Sequence, residues 1–351
     1  GIMLGKAEQE FLEFAEKSGI PVAWTVLGMG VIPTDHPQAV GMVGMHGNYG
    51  PNVLTNECDV LIAVGMRFDD RVTGRLDEYA KQAKIIHLDI DKAEINKNVK
   101  ADVPVLGNCK HTMPLLTALV QKKEHPQWHK RFKDYYVIEN SNLIHYELYP
   151  EEGEITMGEV IRYLNEITAG EAIIVTDVGQ HQMITCRYSR FNHPRTNITS
   201  GGLGTMGFCL PAAIGATYAV NKRPVIAVMG DGGAQMNIQE LGTIMQYHSD
   251  VKILILNNGY LGMVRQWQEL FHEERYSSVD IQSPDFVQVA KGYEIQGRKV
   301  AQREELKEAL HEMLDHKGAF LLEVITKKEH NVFPMIPQGK SISEIVLSAT
   351  F

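Results

Sequence analysis

The chain has 351 residues, 44% apolar and 22% charged, which suits a folded protein with room for two domains. A formal net charge of -9 excludes the basic face that a nucleic-acid partner needs. No apolar run nears the roughly 18 residues of a membrane span, and the 4 cysteines form no CxxC pair. Reduced thiols, a cytoplasmic location, and neither membrane nor nucleic acid as partner are therefore the expectations.

The first predicted element is the helix "AEQEFLEFAEKSG", Ala7 to Gly19, with Phe11, Phe14 and Ala15 on one face and a glycine stop. Only the glycine loop "GIMLG" stands before it. A doubly wound sheet would feed that loop from a strand, so the first strand is expected to be missing and the sequence to begin inside a domain. "IPVAWTV", "DVLIAVG" and "KIIHLDI" follow as short continuous apolar runs, the pattern of parallel strands covered on both faces. The first domain is expected over 1–120. From 121 to 156 the chain turns charged, aromatic and weakly periodic, which predicts an interdomain linker.

The second domain, expected over 157–351 with a C-terminal tail, repeats the plan. Strands are predicted at "AIIVTDVG", "PVIAVMGDGG", "VKILILNN" and "AFLLEVIT", with helices over Gly204 to Val220, Ile238 to Tyr247 and Arg303 to Leu314 between them. Asn258-Gly259 alone is a hairpin signal. Yet "YLGMVRQWQELF" places Leu261, Val264, Trp267 and Phe271 at helical spacing, which predicts strand, tight loop, helix, with these four as the apolar stripe. The fold class is thus α/β, with two doubly wound parallel-sheet domains.

Strand C-terminal ends are where open α/β sheets bind ligands. "VMGDGG" puts Asp231 among glycines between a strand and a helix start, and "DVGQHQ" is a second glycine-bearing strand end, both suited to an anion. Mg²⁺ prefers six oxygens and couples protein to phosphates. Asp231 supplies a carboxylate oxygen, Asn258 an amide oxygen and Tyr260 its carbonyl; a diphosphate and one water complete the shell. Each piece alone is more often a turn. GDG followed by 24 residues, 233 to 256, and then NN is far more restrictive.

That spacing is the thiamine diphosphate signature. With "GMHG", "GMRFDDRVTGRLDEYA", "TSGGLGTMGFCLPAAIGA", "LGMVRQWQELF" and "NVFPMIPQGKS", the chain resembles the catalytic subunits of the acetolactate synthase (acetohydroxyacid synthase) family along nearly all its length. The resemblance implies a middle domain holding FAD and a C-terminal domain holding thiamine diphosphate and Mg²⁺. For FAD it implies Met45, His46, Gly47, Gly65, Arg67, Asp69, Asp89, Ile90 and Asn108. Asn108 departs from the family's pattern, which often has an acidic residue there. For the diphosphate it implies Gly179, Gln180, His181, Gly232 and Gly233, with Met263 also in the cofactor set. Met206 would wedge the folded cofactor and the Gly204 carbonyl would accept from its amino group. Arg71 would pair the carboxylate of the 2-keto acid, and Trp267 would favour 2-ketobutyrate by contact with its extra methylene.

The implied reaction decarboxylates pyruvate and condenses the two-carbon unit with a second pyruvate or 2-ketobutyrate, in branched-chain amino acid synthesis. Implied partners are further catalytic subunits, in a homodimer or homotetramer, and a small regulatory subunit. The family's catalytic glutamate lies in an upstream domain, so these residues alone are expected to be inactive. Pyruvate oxidase and a dinucleotide-dependent dehydrogenase, the latter from the letters "GLGTMG", are the alternatives.

Overall fold

The computed structural model describes residues 1–220 and 222–348. The chain divides into two compact units. One comprises Gly1–Ile144, Asn192–Arg195 and the residues from Phe333 on; the other comprises His145–Phe191 and Thr196–Val332.

The first unit contains a parallel pair, β1 (Val22–Trp24) and β2 (Ala39–Met42). Beside it in sequence come β3 (Val60–Val64), β4 (Lys84–Asp89) and β5 (Val103–Leu106), which form a parallel sheet in that order. The helix Glu8–Ser18 ends as its sequence predicts, with Gly19 left-handed at φ 67° and its N–H on the Ala15 carbonyl. Its buried Phe11, Phe14 and Ala15 pack with Val22, Ile32, Leu88 and Met113.

The stretch 121–156, expected as a linker, holds a helix, Pro126–Glu139, followed by a π-helical turn at Asn140–Ile144, and the chain passes from one unit to the other within it. Its charged residues are a solvated face, while buried Glu139 accepts from the Asn48 amide and from Tyr49 N–H at 2.9 Å, fastening the helix to the start of Tyr49–Thr55. The tail from Phe333 packs in this unit, not with 157–332. Ile336 and Ile342 are buried with Ala63, Phe68, Tyr79 and Ile85, so removal of two large apolar side chains from water decides where the tail goes.

The second unit is built on one parallel sheet of β6 (Ile173–Thr176), β7 (Asn197–Thr199), β8 (Val225–Gly230), β9 (Val251–Asn257), β10 (Gln296–Val300) and β11 (Phe320–Ile325). The strand order is β10-β11-β9-β8-β6-β7. Every residue of β6, β8 and β9 is buried, as continuous apolar runs require. The sequence conceals β7 and β10, which are edge strands; "QGRKV" is polar because an edge is blunted with charge. The helix expected from Gly204 starts only at Cys209 and runs to Ala219. From β6 the chain steps out to β7 on one side and returns to β8 on the other. The crevice at this switch point lies at the C-terminal tips of β6 and β8.

Candidate active site

Four polar side chains stand at or just beyond the tips of β6, β8 and β9, all nearly inaccessible: Asp177 (0% exposed), Gln180 (4%), Asp231 (1%) and Asn258 (7%). Asp231 opens the helix Asp231–Met236 directly after β8. Burial pushes its carboxyl up to about 6, against the opposing pull of Ser283 and of the N–H groups of Gly232 and Gly259. The Ser283 hydroxyl donates to Oδ2 at 3.1 Å. Because β8 and β9 are adjacent and parallel, the asparagine turn after β9 follows the tip beside the one that bears the aspartate.

The two adjacent asparagines have separate tasks. Asn257 donates from Nδ2 to buried Glu323 at 2.8 Å and accepts Gly259 N–H on Oδ1 at 3.0 Å, which shapes the turn. Asn258 donates from Nδ2 to Gln180 Oε1 at 3.2 Å and accepts Tyr260 N–H on Oδ1 at 3.2 Å. The Tyr260 ring carries the Lys328 ammonium at 4.6 Å and the Arg265 guanidinium at 5.5 Å over its face.

Asp177, at the tip of β6, accepts Gly207 N–H on both oxygens at 2.9 and 3.0 Å and Val178 N–H at 2.8 Å. A Cβ on Gly233 would meet Asp177 Oδ2 at 2.6 Å, so only glycine lets the β8 loop lie on this carboxylate. Asp177 thereby joins the loop bearing Gly204 and Met206 to the loop bearing Asp231. Met206 is half-buried, its methyl 3.9 Å from where a Cβ on Gly232 would stand. Gly204 is exposed and left-handed at φ 63°. The N–H groups of Gly204, Thr205 and Gly207 are taken by Ser200 and Asp177. "GLGTMG" is therefore no open phosphate nest, and the dehydrogenase alternative loses its motif.

The helix Gln180–Tyr188 begins at the switch point, and the first N–H groups of a helix have no partner within it. The His181 ring is buried between Gly179 and Gly230, and burial lowers its pKa to about 3, so it is neutral. Its Nε2 is buried without a partner.

The helix Gly262–Phe271 forms where the spacing predicts it, with the apolar stripe on its outward side. Val264 and Phe271 are exposed and Trp267 half-buried, whereas Arg265 and Gln266 are buried. Polar partners make this possible: Arg265 pairs with Glu269 and Asn331, and Gln266 exchanges two bonds with the Val332 backbone. The outward apolar face, Val264 and Trp267, lines an open groove with Gln268, His272 and Arg275, of about 440 Å³. Met263 lies half-buried one residue from it.

In the first unit the expected flavin residues gather at the C-terminal ends of β3, β4 and β5. Gly65 follows β3 with φ 61°, Asp89 ends β4, and Asn108 caps the helix Cys109–Leu119 after β5, accepting Lys110 N–H at 2.9 Å. Asp69 caps the turn Asp70–Thr73 and holds Arg67 at 3.4 Å. Ile90 is 68% exposed. Met45, His46 and Gly47 form a turn tied to Arg71, whose carbonyl accepts Met45 N–H at 2.7 Å. Exposed Arg71 lines a cavity of about 220 Å³ with Met45, Asp70, Gly74 and residues 336–339 of the tail. Trp267 belongs to the other unit.

Two family matches divide the chain as the structure does. Residues 1–116 match "Thiamine pyrophosphate enzyme, central domain" and residues 177–324 match "Thiamine pyrophosphate enzyme, C-terminal TPP binding domain". The chain belongs to the thiamine pyrophosphate enzymes. Similar proteins include a probable acetolactate synthase large subunit of Methanocaldococcus jannaschii, 42% identical over 99% of this chain and 59% of its own length. The acetolactate synthase large subunit of Parasynechococcus marenigrum is 41% identical over 99% of the chain and 56% of its own. Isozyme 2 of Escherichia coli is 38% identical over 99% and 62%. The chain thus spans 56–62% of these relatives' length.

The site fits the cofactors of thiamine pyrophosphate enzymes. A cation beside Asp231 would restore the charge that burial opposes. Among the described residues no group of three or more His, Cys, Asp or Glu is placed to hold a metal. The ion must therefore draw on amide, carbonyl and ligand oxygens, as Mg²⁺ does when it carries a diphosphate. Sequence reasoning missed Asp177, Glu323 and Gln266. The signal for Asp177 was its place in "DVGQHQ", a carboxylate at a strand tip ahead of a glycine; nothing marked the other two. Among the described residues no helix is long and apolar enough to cross a membrane.

Proposed function

We propose that this chain is the flavin- and thiamine-diphosphate-binding portion of an acetolactate synthase catalytic subunit. It would take part in decarboxylating pyruvate and joining the two-carbon unit to a second pyruvate or to 2-ketobutyrate, in branched-chain amino acid synthesis in the cytoplasm. The observation that carries this reading is buried Asp231 at the tip of β8 beside buried Asn258 just beyond the tip of β9, its parallel neighbour. Near 40% identity to acetolactate synthases over almost the whole chain supports this carboligase over pyruvate oxidase.

Asp231, Asn258 and the Tyr260 carbonyl hold Mg²⁺. Gly179, Gln180, His181, Gly232 and Gly233 receive the diphosphate at two helix starts. His181 serves through its main chain, since its neutral ring is buried between Gly179 and Gly230. When bound, thiamine diphosphate supplies the carbon that carries the two-carbon unit through the reaction. Met206 and the Gly204 carbonyl set its folded shape, and Met263 adds apolar cover. Met45, His46, Gly47, Gly65, Arg67, Asp69, Asp89, Ile90 and Asn108 hold FAD. Arg71 takes the keto-acid carboxylate. Trp267 prefers the larger keto acid by a ratio, since one methylene is worth about 1–3 kcal/mol. Further catalytic subunits and a small regulatory subunit are the proposed partners.

Titration with thiamine diphosphate, with and without Mg²⁺, tests the reading: saturable binding only with the cation is the expected result, and cation-independent or absent binding overturns it. Incubation of the 351-residue chain with pyruvate, both cofactors and Mg²⁺ is expected to yield no acetolactate, since these residues span 56–62% of the length of the acetolactate synthases they resemble. Acetyl phosphate formed with phosphate and oxygen would replace the carboligase by the oxidase.

A further inference from the structure

We infer that Gln266 is a positioning residue: together with the His330 carbonyl it holds Gln180, and through Gln180 it helps fix which edge of the Asn258 amide is turned toward the cation. The inference rests on the metal-binding reading of Asn258.

An amide side chain has a donating and an accepting end of nearly equal shape, so something outside it must fix its orientation. Here main-chain groups, whose polarity is not in question, do so at one end of a buried row. Val332 N–H can only donate, so the atom of Gln266 it meets at 2.8 Å is the oxygen, Oε1. The Val332 carbonyl can only accept, so Gln266 turns Nε2 toward it, at 3.2 Å. Gln266 Oε1 also receives Gln180 Nε2 at 3.0 Å, and the His330 carbonyl receives the same Nε2. Both neighbours of that nitrogen are acceptors, so Gln180 must present its oxygen at the other end. Asn258 meets that oxygen with Nδ2 at 3.2 Å. Its Oδ1 is thereby turned to the opposite edge, where Tyr260 N–H meets it, again a group that can only donate.

A reversed Asn258 would set its NH₂ group against Tyr260 N–H and aim a donor at the metal. Gln266 is fully buried, on a helix whose other face is apolar and exposed, and the function assigned above gives it no role. A Cβ on Gly262 would stand 2.1 Å from Gln180 Oε1 and 3.0 Å from Asn258 Nδ2, so the helix start is bare where the row passes it. Outer groups that orient metal ligands are typically worth 10–100-fold in metal affinity.

The test measures Mn²⁺ binding by electron paramagnetic resonance at saturating thiamine diphosphate, with thermal unfolding of the cofactor-free protein alongside. Gln266→Leu is expected to weaken Mn²⁺ binding about tenfold or more. Gln266→Glu keeps an acceptor for Val332 N–H and for Gln180 while losing the bond to the Val332 carbonyl. It should therefore lose stability as Gln266→Leu does yet bind Mn²⁺ within about threefold of the parent. In an Asn258→Asp background, whose two carboxylate oxygens make orientation irrelevant, adding Gln266→Leu should change Mn²⁺ affinity less than about twofold. If Gln266→Leu does not fold, Gln266→Met takes its place. A parent that binds no Mn²⁺ with the cofactor overturns the functional reading. A parent that binds, with Leu and Glu variants equally weak or equally unaffected, overturns the positioning role alone.

Discussion

The two units place their candidate site residues at the same kind of address, the C-terminal ends of parallel strands, but prepare them differently. In the second unit the strands that lead to the site are buried at every position, and its polar side chains are buried and bonded to one another. In the first unit β3 and β5 are largely half-exposed or exposed, and Arg67, Asp69, Ile90 and Asn108 are caps and loop residues open to water. A cation needs oxygens fixed before it arrives, since a misplaced carboxylate in a dry crevice is costly. A long dinucleotide makes many weak contacts and tolerates side chains that settle on binding. Buried, bonded side chains suit a cation; exposed caps and loop residues, with only His46, Gly47 and Asp89 of the first set buried, suit a dinucleotide that would settle them on binding.

This contrast breaks hardest at Asp231. Asp231→Asn removes a buried charge that burial disfavours. The cofactor-free protein at neutral pH should unfold a few degrees higher, while cation-dependent thiamine diphosphate binding falls by on the order of a hundredfold. Thermal unfolding and calorimetric titration read the two effects, and lower stability together with lost binding would mean the carboxylate serves the fold instead. Asp177→Asn comes next. Set at the Oδ2 position its new NH₂ would face Gly207 N–H in place of an acceptor, while Oδ1 keeps the bonds from Val178 and Gly207, at about 1 kcal/mol in stability. Loss of thiamine diphosphate affinity beyond that predicted from stability alone would show that the loop bearing Met206 has shifted.

The same contrast explains what was legible in the sequence. Buried parallel strands write themselves as apolar runs, so β6, β8 and β9 could be read directly, and with them the spacing from Asp231 to Asn258. Edge strands cannot be read that way, because "QGRKV" is polar where a neighbour is lacking. The helix Gly262–Phe271 was legible from its periodicity, but which face is buried was not, because the spacing of apolar residues does not say which way they turn. There Arg265 and Gln266 are inside, each satisfied by partners tens of residues away in sequence. Glu323 was hidden for the same reason, since nothing in "FLLEVI" discloses that its carboxylate will meet Asn257. In the first unit the tail's attachment through Ile336 and Ile342 depends on a surface that only the folded sheet presents.

His181 sharpens the comparison through pH. Its pKa falls to about 3 on folding, so the unfolded chain binds the extra proton between that value and about 6.5. Stability supplied by keeping the ring neutral is complete above about pH 6.5 and is lost as the pH drops, by about 2 kcal/mol at pH 5. His181→Gln should flatten the dependence of unfolding free energy on pH between 5 and 6.5. An unchanged slope in the variant would place the acid sensitivity elsewhere.

The smallest effect is expected at Asn108, and it is the one that tests the loose side of the contrast. Its side chain accepts Lys110 N–H at the start of the helix Cys109–Leu119, and Asn108→Ala should cost about 1 kcal/mol of stability, as loss of a cap does. Because the residue is half-exposed, water can take over whatever bond it offers a flavin, so FAD affinity should change by less than about tenfold. Fluorescence titration with FAD decides the point. A loss as large as that expected for Asp231→Asn would mean that the first unit holds its ligand as rigidly as the second. The exposed caps would then have to be fixed by groups not packed against them in this arrangement.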